Sequence, residues 1–153
     1  MPVIRRSRTG DLHALHRIWT DAVRATHDFL KPEDFDAISA IVREKYLPHA
    51  DLWVAVDRQD APVAFLGADG DKLDSLFVDP AFCGQGLGRA LFEHVFAPDS
   101  VVYVDVNEAN AQARMFYERM GFSAFGRSGT DDSGKPYPLI RMVRAPGPRT
   151  SPG

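Results

Sequence analysis

Seven consecutive residues, Cys83-Gly84-Gln85-Gly86-Leu87-Gly88-Arg89, carry the clearest chemical signal in the chain. They lie between a β-prone run that ends at Val78-Asp79-Pro80 and a helix-prone run with Leu87, Leu91 and Val95 at i, i+4 and i+8. The first turn of a helix leaves backbone N–H groups without intrahelical partners, and the helix dipole is positive there. Glycines at that point let a phosphate approach those donors closely. The loop therefore suits a phosphate ester or a diphosphate. A tight strand-to-helix turn that binds nothing is the plainer alternative, and the loop alone does not separate the two. Other nucleotide loops fit worse. A dinucleotide fingerprint needs Gly-x-Gly-x-x-Gly, whereas the spacing here is Gly-x-Gly-x-Gly. A nucleoside-triphosphate loop needs Gly-Lys-Ser or Gly-Lys-Thr, which is absent. Cys83 is the only cysteine, and no His or other base adjoins it in sequence to activate it as a nucleophile. No Cys/His/Asp spacing points to a metal.

The elements that must position this loop follow from periodicity. Val3 to Arg6 reads as a first strand. Asp11 is placed to cap a helix with Leu12, Leu15, Ile18, Trp19, Ala22 and Val23 on its apolar face. Pro32 breaks that pattern. A second helix is expected from about Pro32 to Tyr46, with Phe35, Ile38, Ile41 and Val42 inside, ended by Pro48. The period then changes to two. Leu52–Val56, Pro62–Leu66 and Leu73–Val78 read as strands, divided by turns at Arg58-Gln59-Asp60 and Gly67 to Asp71. After the glycine loop and its helix come a strand at Val101–Val106, a helix at Asn110–Met120 with Gly121 as C-cap, and strands at Phe122–Arg127 and Tyr137–Val143. The order predicts an α/β fold in one domain over residues 1–144, with a mixed central sheet of about seven strands flanked by about four helices. Residues 145–153 are rich in Pro and Gly and are expected to be a disordered tail.

Composition removes several classes of function. The chain has 153 residues, enough for one domain, and 44% of them are hydrophobic, enough for a packed core. The net charge of -3 gives no general attraction to nucleic acid or to an anionic membrane. One cysteine cannot form an internal disulfide, and no long apolar segment follows the N-terminus, so a cytoplasmic location is expected.

Leu76-Phe77-Val78-Asp79-Pro80, followed by Gly84-x-Gly86-x-Gly88 and Leu91, resembles the central motif of the GNAT family of N-acetyltransferases. Asn110-x-x-Ala113-x-x-x-Tyr117-x-x-x-Gly121-Phe122 resembles the family's second motif, in the right order and distance. The element order matches the family's fold over nearly the whole chain. The resemblance implies acetyl-coenzyme A (acetyl-CoA) as co-substrate and no metal. Leu76, Phe77, Val78, Gly84, Gln85, Gly86, Leu87, Gly88, Arg89, Asn110 and Tyr117 are its expected contacts. One residue departs from the pattern: the family's loop usually opens with Arg or Gln where this chain has Cys83. If backbone amides hold the diphosphate, that loss weakens the site without abolishing it, and Arg89 offers a compensating charge.

The resemblance implies a sheet that splays after the Leu73–Val78 strand, with the thioester in the gap and its carbonyl polarised near Val78. A neutral primary amine of a small molecule or peptide would attack directly, through a tetrahedral intermediate. Tyr117 would be the general acid toward the departing sulfur; a core aromatic role is its plainer alternative. Many relatives carry a base on the central strand where this chain has Lys72. Strict alternation puts Asp74 on the face of Leu76 and Val78, which makes it the first candidate base, with His27 second. Trp19, His27, Asp28, Phe29, Tyr137 and Asp131-Asp132 could build the acceptor pocket, or be core and solvated turn. Two other functions stay open: a non-catalytic acyl-CoA-binding module, and an acetyltransferase acting on aminoacyl-tRNA. No nucleic-acid or membrane partner is expected, and a homodimer is compatible with the sequence.

Overall fold

A computed structural model describes residues 2–145 of the chain. Apart from Ala145, the expected tail lies outside the described residues. The elements follow as β1 (Val3–Arg6), α1 (Leu12–Thr26), α2 (Pro32–Ile41), β2 (Leu52–Val56), β3 (Pro62–Asp69), β4 (Lys72–Val78), α3 (Leu87–Val95), β5 (Val102–Asn107), α4 (Ala111–Arg119), β6 (Ser123–Ser128) and β7 (Leu139–Arg144). The seven strands form one sheet in the order β1-β2-β3-β4-β5-β7-β6. Every pair is antiparallel except β4 with β5.

Alternation along the strands divides the core between the two faces of the sheet. On one face Leu52, Val54, Val56 and Phe65 pack against Leu15, Ile18, Trp19 and Val23 of α1, with Phe35 and Ile38 of α2 completing the layer. On the other face Leu66, Val102, Val104, Val106, Ile140 and Met142 pack against Leu87, Leu91 and Phe92 of α3 and Tyr117 of α4. Phe92 is fully enclosed and touches Phe96 and Phe122 edge-on or tilted, with ring centroids 5.1 and 5.7 Å away. Gly88 lets α3 and α4 approach closely: a Cβ there would stand 3.1 Å from the Phe116 ring.

Several boundaries differ from the sequence expectation, each for a tertiary reason. Asp11 occupies the N-cap position of α1 but does not cap it with its side chain. Its carboxylate instead accepts from the Arg8 N–H at 2.8 Å and from the Arg5 guanidinium at 2.8 and 3.1 Å, which holds it below the usual aspartate range. The second helix is α-helical only to Ile41 and continues as a π-turn over Val42–Tyr46. Ile41, expected inside, is half exposed. The last strand starts at Leu139, two residues later than expected, because the Tyr137 N–H turns back to Lys135 O at 2.8 Å and Pro138 has no N–H for the ladder. Asn110, expected as a cofactor contact, caps α4 by accepting from the Ala113 N–H at 3.1 Å.

Candidate active site

Only Lys72↔Tyr103 and Leu73↔Val104 join β4 to β5. Beyond them the two parallel strands part. The register between β3 and β4 slips at the same level, passing from Gly67↔Ser75 to Ala68↔Leu73. Asp74 is therefore the extra residue of a bulge. From Ser75 to Val78, β4 is paired on one edge only. The Asp79 N–H donates to Val63 O at 2.9 Å. Alternation along an antiparallel pair then turns the N–H and C=O of Phe77 toward β3, and those of Leu76 and Val78 toward the edge that β5 has left.

A cleft of about 770 Å³ opens at this edge. One wall is the Leu76–Val78 limb of β4, and another is α4, through Asn110, Ala113, Phe116, Tyr117 and Met120. At one end stand Cys83, Gly84, Gly86, Leu87, Gly88 and Arg89; at the other, Ala22, Ala25, Thr26 and His27 from the end of α1. At the glycine end, Gly84 and Gly86 have φ of +82° and +77°, a left-handed conformation that favours glycine, and a Cβ at either would meet nothing within 4 Å. The first bond of α3 runs from the Ala90 N–H to Gly86 O at 3.0 Å. That leaves the N–H groups of Leu87, Gly88 and Arg89 outside the helical ladder, at the positive end of the dipole. An open cradle of glycine and backbone donors fits a diphosphate. Arg89 is bridged to Glu93 of its own helix at 3.6 Å, and both side chains are more than half exposed, so the guanidinium is free to swing toward an anion.

Tyr117 is buried among Phe116 and Phe122, at centroid distances of 5.2 and 5.3 Å, and also lines the cleft. Burial pushes its phenol above the usual tyrosine range, so it stays protonated at neutral pH. Its hydroxyl makes no hydrogen bond to another described side chain or backbone group, and the residue lines the cleft. The ring of Tyr117 is therefore part of the core at the border of the cleft.

At the far end, Thr26 Oγ1 contacts Ala22 O at 2.8 Å and His27 Nδ1 at 2.7 Å. A hydroxyl has one proton, so both contacts are satisfied only when Thr26 donates to Ala22 and Nδ1 donates to Thr26. His27 Nε2 is then the unprotonated nitrogen. Burial lowers the His27 pKa below its ordinary 6.5, which keeps the ring neutral at physiological pH. Phe29 stands 5.2 Å from His27 and 6.1 Å from Tyr137. Tyr137 donates to Asp34 at 2.5 Å, and Lys135 pairs with the same carboxylate at 2.9 Å. These contacts tie the α1–α2 connection to the segment before β7.

Other expected site residues lie elsewhere. Asp74 does not line the cleft: the bulge breaks the strict alternation on which its placement rested, and it stands exposed. Partial desolvation raises its carboxyl pKa, with Asp69 adding to the effect and Lys72 opposing it. Gln85 is exposed and does not line the cleft. Trp19 is buried between His16 and Phe35 in the core. Asp131 accepts from the Ser133 and Lys135 N–H groups and closes a turn. Among the described residues the Cys83 thiol contacts no base; it points to Asp79 O at 3.8 Å. Phe82, Met115 and Thr26 also line the cleft, and no local sequence pattern marks them.

Comparison with known proteins agrees with this geometry. The profile of the acetyltransferase (GNAT) domain matches residues 48–124, from before β2 to β6. The chain belongs to the GNAT family. It is an N-acetyltransferase by that membership, as are its curated relatives. It is 46% identical over 140 residues to the peptidyl-lysine N-acetyltransferase YjaB of Salmonella typhimurium, covering 92% of this chain and 96% of that one. YjaB of Escherichia coli is also 46% identical, with 92% and 95% covered. The solution structure of apo-form YjaB from Escherichia coli superposes with a TM-score of 0.87 at 45% identity, covering 94% of this chain and 97% of that chain. The single-domain seven-stranded GNAT architecture expected from the motifs is therefore observed. No helix among the described residues is long and apolar enough to cross a membrane. No cluster of metal-ligating side chains is found among them either.

Proposed function

We propose that this GNAT protein transfers the acetyl group of acetyl-CoA to the ε-amine of a lysine in a peptide or protein. The observation that carries the reading is the continuity of one cleft, from an anion cradle at the N-terminus of α3, along an unpaired strand edge, to a phenol and a neutral imidazole. The YjaB relatives, named as peptidyl-lysine acetyltransferases, supply the acceptor class.

Each part of the cleft then has a role. The N–H groups of Leu87, Gly88 and Arg89 hold the diphosphate. The outward N–H and C=O groups of Leu76 and the C=O of Val78 bind the amide-bearing arm as an added strand would. The Val78 N–H polarises the thioester carbonyl. A lysine ammonium loses a proton to His27 Nε2, and its nitrogen attacks the carbonyl carbon. The nitrogen of the tetrahedral intermediate releases its second proton to solvent, and the intermediate collapses with cleavage of the C–S bond to leave the amide. Tyr117 donates its hydroxyl proton to the departing sulfur and is reprotonated from solvent.

The test is thiol release from acetyl-CoA with a lysine-containing peptide, against the same peptide with that lysine replaced by arginine. Turnover on the first peptide alone is expected. A coenzyme-dependent rise in Tm without thiol release on any amine would instead mark a binding module. Turnover on aminoacyl-tRNA with a steep salt dependence would mark a nucleic-acid acceptor.

A further inference from the structure

Strand β4 is held on both edges at its base and on one edge beyond it. Lys72 and Leu73 pair with β3 and β5, whereas Ser75 to Val78 pair with β3 alone. The angle of this limb decides where the backbone of Leu76 and Val78 stands in the cleft. Leu76 and Val78 pack on the α3–α4 side of the sheet and Phe77 on the α1–α2 side. Ser75 is the one buried polar residue of the limb, and its Oγ lies 2.6 Å from Tyr46 Oη.

Tyr46 reaches Ser75 through two further departures from regular structure. The end of α2 widens into the π-turn Val42–Tyr46, where the Leu47 N–H donates to Val42 O at 2.9 Å. Gly67, inside β3 and opposite Ser75, leaves the space the phenol occupies. A Cβ there would collide with Tyr46 Oη and stand 2.7 Å from Ser75 Oγ. Single π-turns and bulges both concentrate at functional sites. Here a π-turn, a glycine inside a strand and a one-residue bulge at Asp74 all meet at one hydrogen bond. Neither Tyr46 nor Ser75 lines the cleft.

We propose that Tyr46 is a positioning residue: through Ser75 it holds the Ser75–Val78 limb of β4 at the angle that presents Leu76 and Val78 to the acyl-CoA. This rests on the acetyl-CoA reading given above. The bond acts on a strand that has lost its second neighbour, where one side-chain contact replaces the ladder that β5 supplies at Leu73.

The test compares wild type with Tyr46→Phe, Ser75→Ala and the double variant. Amide hydrogen exchange is read in the unliganded protein at Phe77 and Asp79, whose N–H groups face β3, and steady-state kinetics are read on the same samples. Losing one hydrogen bond of this kind should speed exchange at those two amides about two- to tenfold, and raise the KM for acetyl-CoA by a similar factor. The KM for the peptide should stay unchanged. The double variant should match either single one, because both remove the same bond. A Tyr46→Phe protein that loses Tm but keeps wild-type exchange at Phe77 would show a merely structural contact and overturn the proposal. Faster exchange with an unchanged KM for acetyl-CoA would overturn it as well. If wild type does not turn over acetyl-CoA at all, the acetyl-transfer reading fails, while exchange in the unliganded protein still judges the limb.

Discussion

Replacing Gly86 with Asp probes the anion cradle most directly. Gly86 sits at φ +77° and ψ 16°, immediately before α3, and a Cβ added to it would meet no atom within 4 Å. Gly86→Ala therefore introduces no clash and costs only the left-handed conformation, about 1–2 kcal/mol. For a domain of this size, that lowers Tm by about 2–8 °C. Gly86→Asp adds a negative charge where a diphosphate would lie. A carboxylate about 5 Å from a phosphate charge opposes it by roughly 1–3 kcal/mol across the range from water to a protein surface, a five- to 150-fold loss of affinity. At a coenzyme concentration of about 100 Kd, the wild type gains about 2.7 kcal/mol of stability. The same concentration would stabilise Gly86→Asp by only about 0.3–1.8 kcal/mol, given that loss of affinity. The assay is a coenzyme A thermal shift on wild type and both variants, each against its own unliganded Tm, repeated at high salt. Salt should narrow the gap between the Asp and Ala variants, because it screens the added repulsion. A full coenzyme-dependent shift in Gly86→Asp, equal to that of Gly86→Ala, would refute the placement of the diphosphate.

The remaining expectations concern the site and its supports. Tyr117→Phe keeps the buried ring and removes the proton donor, so kcat should fall by about two orders of magnitude with coenzyme affinity unchanged; initial rates at saturating acetyl-CoA decide it. Because burial lowers the His27 pKa, activity should hold through neutral pH and decline only below the ordinary 6.5, and His27→Gln should abolish that limb of the kcat/KM profile. The same shift bears on stability: the unfolded chain takes up a proton below about pH 6.5 that the folded His27 resists, so stability falls as pH drops through that window. His16, shifted the same way by burial, adds to the loss, so urea unfolding of His27→Gln should show a smaller fall from pH 7 to pH 5, not a flat line. Gly67→Ala forces the new methyl onto Tyr46 and Ser75 and should cost about 1–3 kcal/mol or more in urea unfolding.

What the sequence alone determined is what local chemistry controls. The glycine spacing of residues 84–88 needs no partner to be legible, because left-handed backbone and free helical N–H groups are properties of one turn. The same holds for Asn110, whose cap on Ala113 is three residues away, and for Tyr117, placed by helical spacing. The alternation of apolar residues likewise located the strands within one to three residues, the widest miss being β3, which runs on to Asp69 where a turn was expected from Gly67. Tertiary structure decided the rest. Asp74 was misplaced because its side depends on a bulge set by the register of β3, through the pairing partners Gly67 and Ala68. The roles of Phe77 and Val78 separated only when the Asp79–Val63 bond showed which edge each faces. His27 reached the cleft because α1 lies across β4, and Tyr46 reached Ser75 because a π-turn and a strand glycine coincide. Periodicity reports which residues are buried together along one element; it carries no information on the register between elements, and register places the base, the strand edge and its support.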